Sequence, residues 1–558
     1  MTEGDPSRDT VGSEVASALL DRFWDEFLSL EPVFATLVGD ERFDDRLPDP
    51  SPEGLARRES AHRSALRDLE GMRRDGLGME DRTALDMVES LARRDLAIVE
   101  HRLDRLWAVS HMQGSYLCGP GLLLGQIGAL QRADTPERMD RYVARLSAVP
   151  GYLEAIEEVM REAVEAGQVA PAVVVDRSIG LVERQLEAGA DASPAMQAVS
   201  EAEDRERIAA VLTDRALPAY ARYLEALRAY RPSARESLGL TALPDGEEMY
   251  ASEILGWTGL PLDPRDLHDL GRAHLDGIRD EGRAIASGLG FPDPAAAVSA
   301  RTGNEVARDE VLRLARDQVE RGWETARGFF GRLPTRNCEV RAVPLDLEED
   351  ALDYYQGPTG DWSRPGIYWV NTASRPRHSL ATTTYHEATP GHHFETALSV
   401  EAEGRHPIRR LGNELQGAAF GEGWGLYSER LADEMGLYVD DYERLGMLEM
   451  QALRAARLVV DTGVHAFDWN REQAVAELED TGLPRWMAEA EADRYIAMPG
   501  QALCYKVGQL EIERLREEAS RWPAFDLADF HDRLLAVGSV PLPALRRELG
   551  TAGDGTDE

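Results

Sequence analysis

The sequence predicts a mainly α-helical protein, large and two-lobed, with a central cleft and a small β-sheet just ahead of a metal-binding helix. Three observations predict this. Apolar residues recur at three- and four-residue steps over most of the chain, as one buried helix face requires; Leu85, Val88, Leu91, Leu96 and Leu103 form one such series. Only two runs, 338–345 and 366–372, read as strands. A length of 558 residues exceeds the size at which a single core keeps growing, so at least two lobes are expected.

In chain order, residues 1–12 are polar and expected to be a disordered tail. A helical lobe follows over 13–240, with the clearest periodicity at 13–30, 134–166 and 202–230. Pro232, Gly239, Pro244 and Gly246 break the pattern between 231 and 247 and mark the lobe boundary. The second lobe, 241–550, carries helical patterns at 265–287, 440–462 and 505–518, and another through Val311, Leu314, Ala315 and Val319. Its two strands are separated by a Gly/Pro-rich loop over 356–365. Residues 551–558 read as an acidic tail.

Charge and cysteines restrict the partners. With 62 basic against 101 acidic residues the net charge is -39, which repels phosphate backbones and anionic lipids; neither nucleic acid nor a membrane surface is an expected partner. Cys118, Cys338 and Cys504 are far apart and show no C-x-x-C spacing, which excludes a disulfide framework and a thiolate zinc site. The first apolar stretch (Val15 to Trp24) is interrupted by Asp21 and Arg22 and is neither a secretory leader nor a membrane span. A cytoplasmic protein is expected. Lys506 is the chain's only lysine, so its compact ammonium stands out where Arg serves everywhere else.

The most informative segment is the octapeptide His386-Glu387-Ala388-Thr389-Pro390-Gly391-His392-His393. Imidazole nitrogens bind zinc, and an adjacent carboxylate is placed to move a proton. Two histidines four apart on a helix face one ion, but this spacing is longer. On an unbroken helix His392 would be rotated by about 240° from His386, and His393 would lie roughly 10.5 Å further along the axis. Pro390 cannot donate to the carbonyl of His386, so the helix must kink or bulge there. A two-residue bulge at Thr389-Pro390 makes His386 and His392 the expected ligands, with His393 touching a ligand or substrate; the reverse assignment of 392 and 393 stays open. The expected third ligand is Glu422, within Phe420-Gly421-Glu422-Gly423-Trp424-Gly425-Leu426-Tyr427-Ser428-Glu429. Its three glycines cost roughly 1 kcal/mol each in a helix relative to Ala, which a helix tolerates where another backbone approaches closely. Glu429, two turns on, is expected to hold a ligand histidine or Trp424 in place.

These segments, with R-L-V-V-D-T-G-V-H (457–465), P-G-Q-A-L-C-Y-K-V-G (499–508), the N-terminal P-V-F-A-T-L-V-G (32–39) and S-R-P-G (363–366), resemble the bacterial family called domain of unknown function 885. The resemblance covers nearly the whole chain in order. That family in turn resembles helical gluzincin peptidases of the carboxypeptidase Taq and thimet oligopeptidase type. What this implies is a zinc site completed by a glutamate on a later helix, and a tyrosine from a late segment, here Tyr505, as oxyanion donor. The departure is the longer H-E-x-x-x-G-H spacing.

The expected activity is zinc-dependent hydrolysis of a peptide or amide bond in a small substrate. Glu387 serves as general base, and zinc is preferred over manganese, cobalt or iron. Lys506 is the expected partner of a substrate carboxylate. His465 is a further candidate contact, and Tyr368 lies on a strand expected to pair along its edge with an extended peptide. Two other readings use the same residues: hydrolysis or lyase cleavage of a non-peptide metabolite in a biosynthetic pathway, or a non-catalytic helical protein with structural zinc.

Overall fold

The computed structural model describes residues 6–112, 119–301, 303, 305–343, 353–373, 375–412, 418–522 and 524–553, with side chains from 13 to 550. The protein is mainly α-helical, with two small sheets among the described residues. The chain divides into two compact units. One comprises Met1–Ser252, Val464–Arg471 and Ala490–Pro499; the other Glu253–Gly463, Glu472–Glu489 and Gly500–Glu558.

In the first unit, helices form where apolar periodicity meets a capping residue. Ser51 and Thr135 accept backbone N–H bonds at the starts of Pro52–Glu70 and Pro136–Ala166, each with proline in the first turn. Gly167, at φ 67°, ends the longer one in the left-handed conformation. Tyr142, Leu146, Val149 and Leu153 from that helix pack with Tyr220, Tyr223 and Leu227 of Leu217–Tyr230 in a fully buried core. The first helix, Pro6–Leu30, begins inside the segment expected to be a tail, whose residues 1–5 lie outside those described. The last helix, Leu542–Gly553, likewise enters the expected acidic tail, whose residues 554–558 lie outside. The unit extends to Ser252, beyond the expected boundary at 240, and takes in two later segments. Long-range contacts explain this: Leu240 N donates to His465 Nδ1, and Arg177 pairs with Asp493.

The second unit carries the sheets. Strands β1 (Glu305–Val306) and β5 (Arg375–Pro376) pair antiparallel. Strand β4 (Ile367–Val370) lies between β2 (Glu339–Ala342), parallel to it, and β3 (Tyr354–Gln356), antiparallel. Residues 344 and 345 of the expected first strand lie outside the described residues. Because β4 is central, its backbone is bonded on both sides, and the expected edge pairing with a peptide falls. Tyr368 and Val370 of β4, Val311, Ala315 and Val319 of helix α1 (Arg308–Ala326) and Leu380 of helix α2 (Arg377–Glu387) share one core cluster. That cluster fixes α2, which ends within the octapeptide at Glu387. Helices α3 (His392–Val400), α4 (Ala418–Glu434), α5 (Asp441–Ala466) and α6 (Cys504–Ala519) complete the surroundings of the site. No helix of the described residues is long and apolar enough to cross a membrane.

Candidate metal centre

The octapeptide is a break between two helices, not the bulge in one helix that its spacing predicts. Helix α2 stops at Glu387 and α3 starts at His392. Between them Ala388 (φ -106°, ψ -108°) and Gly391 (φ -74°, ψ -130°) leave helical geometry, and the Thr389-Pro390 peptide is cis. Gly391 is required by space: a Cβ there would sit 1.8 Å from the carbonyl oxygen of His386. The carbonyls freed by the break are taken up by α4. Trp424 Nε1 donates to the oxygens of Pro390 and Gly391 at 3.0 and 3.1 Å.

The break turns the start of α3 back toward the end of α2. The His386 and His392 rings lie 4.9 Å apart, almost perpendicular at 89°. Nε2 of each stands 3.5 Å from the same Glu422 oxygen, Oε2. The three donor atoms fall within 4.8 Å of one another, the only such cluster of His, Cys, Asp or Glu among the described residues. A tetrahedral zinc site with bonds of about 2.0–2.1 Å has donor–donor edges of roughly 3.4 Å, so the two 3.5 Å separations suit such an ion. His386 is buried, while His392 and Glu422 are partly open, leaving the donors a route to solvent.

Glycines admit this geometry. A Cβ on Gly425 would lie 2.7 Å from His386 Cε1, so the imidazole fills the space a side chain would take. Gly423 meets the backbone of Gly508 on α6 at 2.3 Å from its missing Cβ, which lets α4 and α6 pack in direct backbone contact. The sequence expectation of close approach holds at both positions. At Gly421 the nearest atom is Glu395 Oε2 at 4.0 Å, an ordinary contact.

Around the donors, Glu429 is fully buried and its Oε1 lies 2.9 Å from His386 Nδ1, where it fixes the orientation of that imidazole. Burial works against a charge on Glu422, but its bonds to the two histidines outweigh burial and hold its carboxyl well below the usual range. His392 shows the converse: burial disfavours its cation, yet the bond to Glu422 pushes it up to about 9. Glu387, half-buried beside both imidazoles, is raised by its burial. Tyr505 sits in the first turn of α6, after Gly500 at φ 80°, with its ring 6.5 Å from that of His386 and near-parallel to it. The Arg457 guanidinium covers that ring at 4.2 Å.

Four expected site residues lie elsewhere. His393 is fully buried: Nε2 donates to the Arg336 carbonyl (2.8 Å) and Nδ1 accepts from Tyr355 Oη (2.9 Å), so neither nitrogen is left for an ion. Tyr368 is also fully buried, and its hydroxyl donates to Asp353. His465 belongs to the first unit, where Nδ1 accepts from Leu240 N and Nε2 donates to the Tyr495 carbonyl; this is a structural histidine, not a substrate contact. Lys506 is 4% exposed and donates to Gln509, so burial removes it from the expected role at a substrate carboxylate.

Two residues near the site escaped sequence reasoning. Glu395, one turn after His392, is buried with its carboxylate bonded by Ser539 and Thr396; its i,i+3 spacing was the available signal. Gln451 bonds Glu429 and gave no signal at all.

Comparison with known proteins agrees on the family and the fold. The family model described as bacterial protein of unknown function (DUF885) matches residues 32–549. A crystal structure of a candidate lipoprotein from Colwellia psychrerythraea is 26% identical, with TM-score 0.89 over 98% of this chain and 99% of that one. A candidate lipoprotein of unknown function from Shewanella oneidensis, 19% identical, shares the fold at TM-score 0.71 over 95% and 99% of the two chains. No curated protein matches. With the match running across most of its length, the chain belongs to the bacterial family DUF885.

Proposed function

We propose that this protein is a zinc-dependent hydrolase of the peptidase type, cleaving a peptide or amide bond of a small substrate. The observation that carries the reading is the convergence of His386, His392 and Glu422 on one point, with Glu387 next to the first of them. Two imidazoles and one carboxylate form the donor set of catalytic zinc sites that keep a position open, and they also accept manganese, cobalt or iron. A bound ion would supply a Lewis acid for the scissile carbonyl and lower the pKa of the attacking water. Glu387 would accept the proton of an attacking water and hand it to the leaving nitrogen. Tyr505, beside His386, donates to the developing oxyanion. A distant kinship with gluzincin peptidases belongs to the same proposal, resting on the shared logic of a histidine–glutamate helix completed by a glutamate from a later one.

The compartment we propose is the cytoplasm, on Cys338 and Cys504 forming no disulfide. The lipoprotein designation of the similar structures makes membrane fractionation the check. For the activity, purified protein is assayed for bound metal and turned over on a panel of dipeptides, N-acyl amino acids and non-peptide amides. Glu387→Gln is expected to keep the metal and lose activity by about 10²–10⁴-fold. Full turnover in that variant would remove Glu387 as base, and a metal-free, inactive wild type would remove the reading.

A further inference from the structure

The chain's only lysine has no place in the hydrolytic scheme, yet it is buried at the end of a continuous polar chain that leads to a metal donor. Lys506 Nζ donates to Gln509 Oε1 at 2.8 Å. Gln509 Nε2 donates to Gln451 Oε1 at 3.0 Å. Gln451 Nε2 donates to Glu429 Oε2 at 3.0 Å and to the Leu426 carbonyl at 3.0 Å. Glu429 Oε1 faces His386 Nδ1 at 2.9 Å. Gln451, Gln509 and Glu429 are fully buried, so each polar atom depends on its protein partner.

Every link runs the same way. An ammonium only donates, so Gln509 must present its oxygen to Lys506 and its amide nitrogen to Gln451. Gln451 is then turned with its oxygen toward Gln509 and its nitrogen toward Glu429. The carboxylate at the far end receives bonds from both sides and donates none. Its remaining oxygen therefore accepts a hydrogen bond from Nδ1–H of His386, which leaves Nε2 as the free lone pair. We propose that Lys506 is a positioning residue for the metal: through Gln509, Gln451 and Glu429 it sets the orientation and tautomer of His386. An arginine is not equivalent at the head of this chain, because it presents a planar fork of five donors where lysine presents one compact ammonium. That accounts for one lysine surviving among 62 basic residues.

This inference rests on the proposed metal site, and the experiment separates the two. Full-length protein is titrated with zinc against a chromophoric chelator, with melting curves taken on the metal-free form. Wild type is expected to bind one zinc and His386→Ala to lose it; if wild type binds none, or His386→Ala binds as tightly as wild type, the metal reading falls and the relay with it. Glu429→Gln is expected to weaken zinc by about 10–100-fold, and Lys506→Met and Gln509→Leu by roughly tenfold each. The Lys506→Met/Gln509→Leu double variant should lose no more than the worse single one, because both break one chain. Either of two results overturns the relay while leaving the metal site standing: single variants that hold zinc within about twofold of wild type, or fully additive losses in the double. Gln509→Leu keeps the test open if Lys506→Met does not fold.

Discussion

His392 and His393 are adjacent and chemically identical, yet the backbone break leaves the first partly open and buries the second. His392 opens α3 with Nε2 at Glu422, while both nitrogens of His393 are spent on Tyr355 and Arg336. The two substitutions should therefore separate. His392→Ala is expected to abolish zinc binding. His393→Gln is expected to keep one zinc per chain but to destabilise the fold by about 1–3 kcal/mol, through loss of the two bonds the buried imidazole makes. Zinc titration and thermal melts on both variants check this; loss of zinc with His393→Gln alone would reverse the assignment. Much of the site at this scale was legible, since the octapeptide and the Gly-Glu-Gly-Trp-Gly segment announce donors and close packing through residue type alone. Choosing between 392 and 393 was not legible, because the partners that claim His393 lie 57 and 38 residues upstream. Lys506 was recognised as unusual but assigned to substrate, because composition does not reveal which way a side chain points.

Among the elements, helix α4 does most to assemble the centre. One face brings Glu422 and Glu429 to the histidines, a gap at Gly425 admits the imidazole, and Trp424 holds the carbonyls of the break. Gly425→Ala would place a methyl 2.7 Å from His386 Cε1, and because ring and helix are both packed, the ring must move. We expect zinc affinity to fall by at least about tenfold, a misplaced ligand costing more than a lost contact, with the melting temperature nearly kept. Retained affinity would show that His386 has slack. The long helices were readable from their apolar period. Strand β3, three residues long, carries too little pattern to register, so the central place of β4 and its bonding on both sides were invisible. The octapeptide break was half legible: Pro390 and Gly391 forbid a regular helix, but they do not say whether the chain bulges or stops.

For the molecule as a whole, the three donors come from α2, α3 and α4, all of them in the second unit. A metal bound there and not by the unfolded chain stabilises by mass action, about 2.7 kcal/mol at a hundredfold excess over its Kd. Chelation should accordingly lower the melting temperature of wild type in calorimetry and leave that of Glu422→Ala unchanged. An equal shift in both would mean the chelator acts elsewhere. The division into units was legible as two lobes by size, but not in its course. Val464–Arg471 and Ala490–Pro499 return to the first unit through contacts such as Leu240 with His465, which no local pattern foretells.

The burial of Lys506 has a practical consequence for handling the protein. Lys506 carries the only side-chain primary amine of the sequence, and it is buried. Acylating dyes, biotin esters and amine cross-linkers will therefore reach no side-chain amine while the fold holds. Label on Lys506 will appear only when α6 opens, which turns a routine tagging reaction into a clock for the loosening of the core around it.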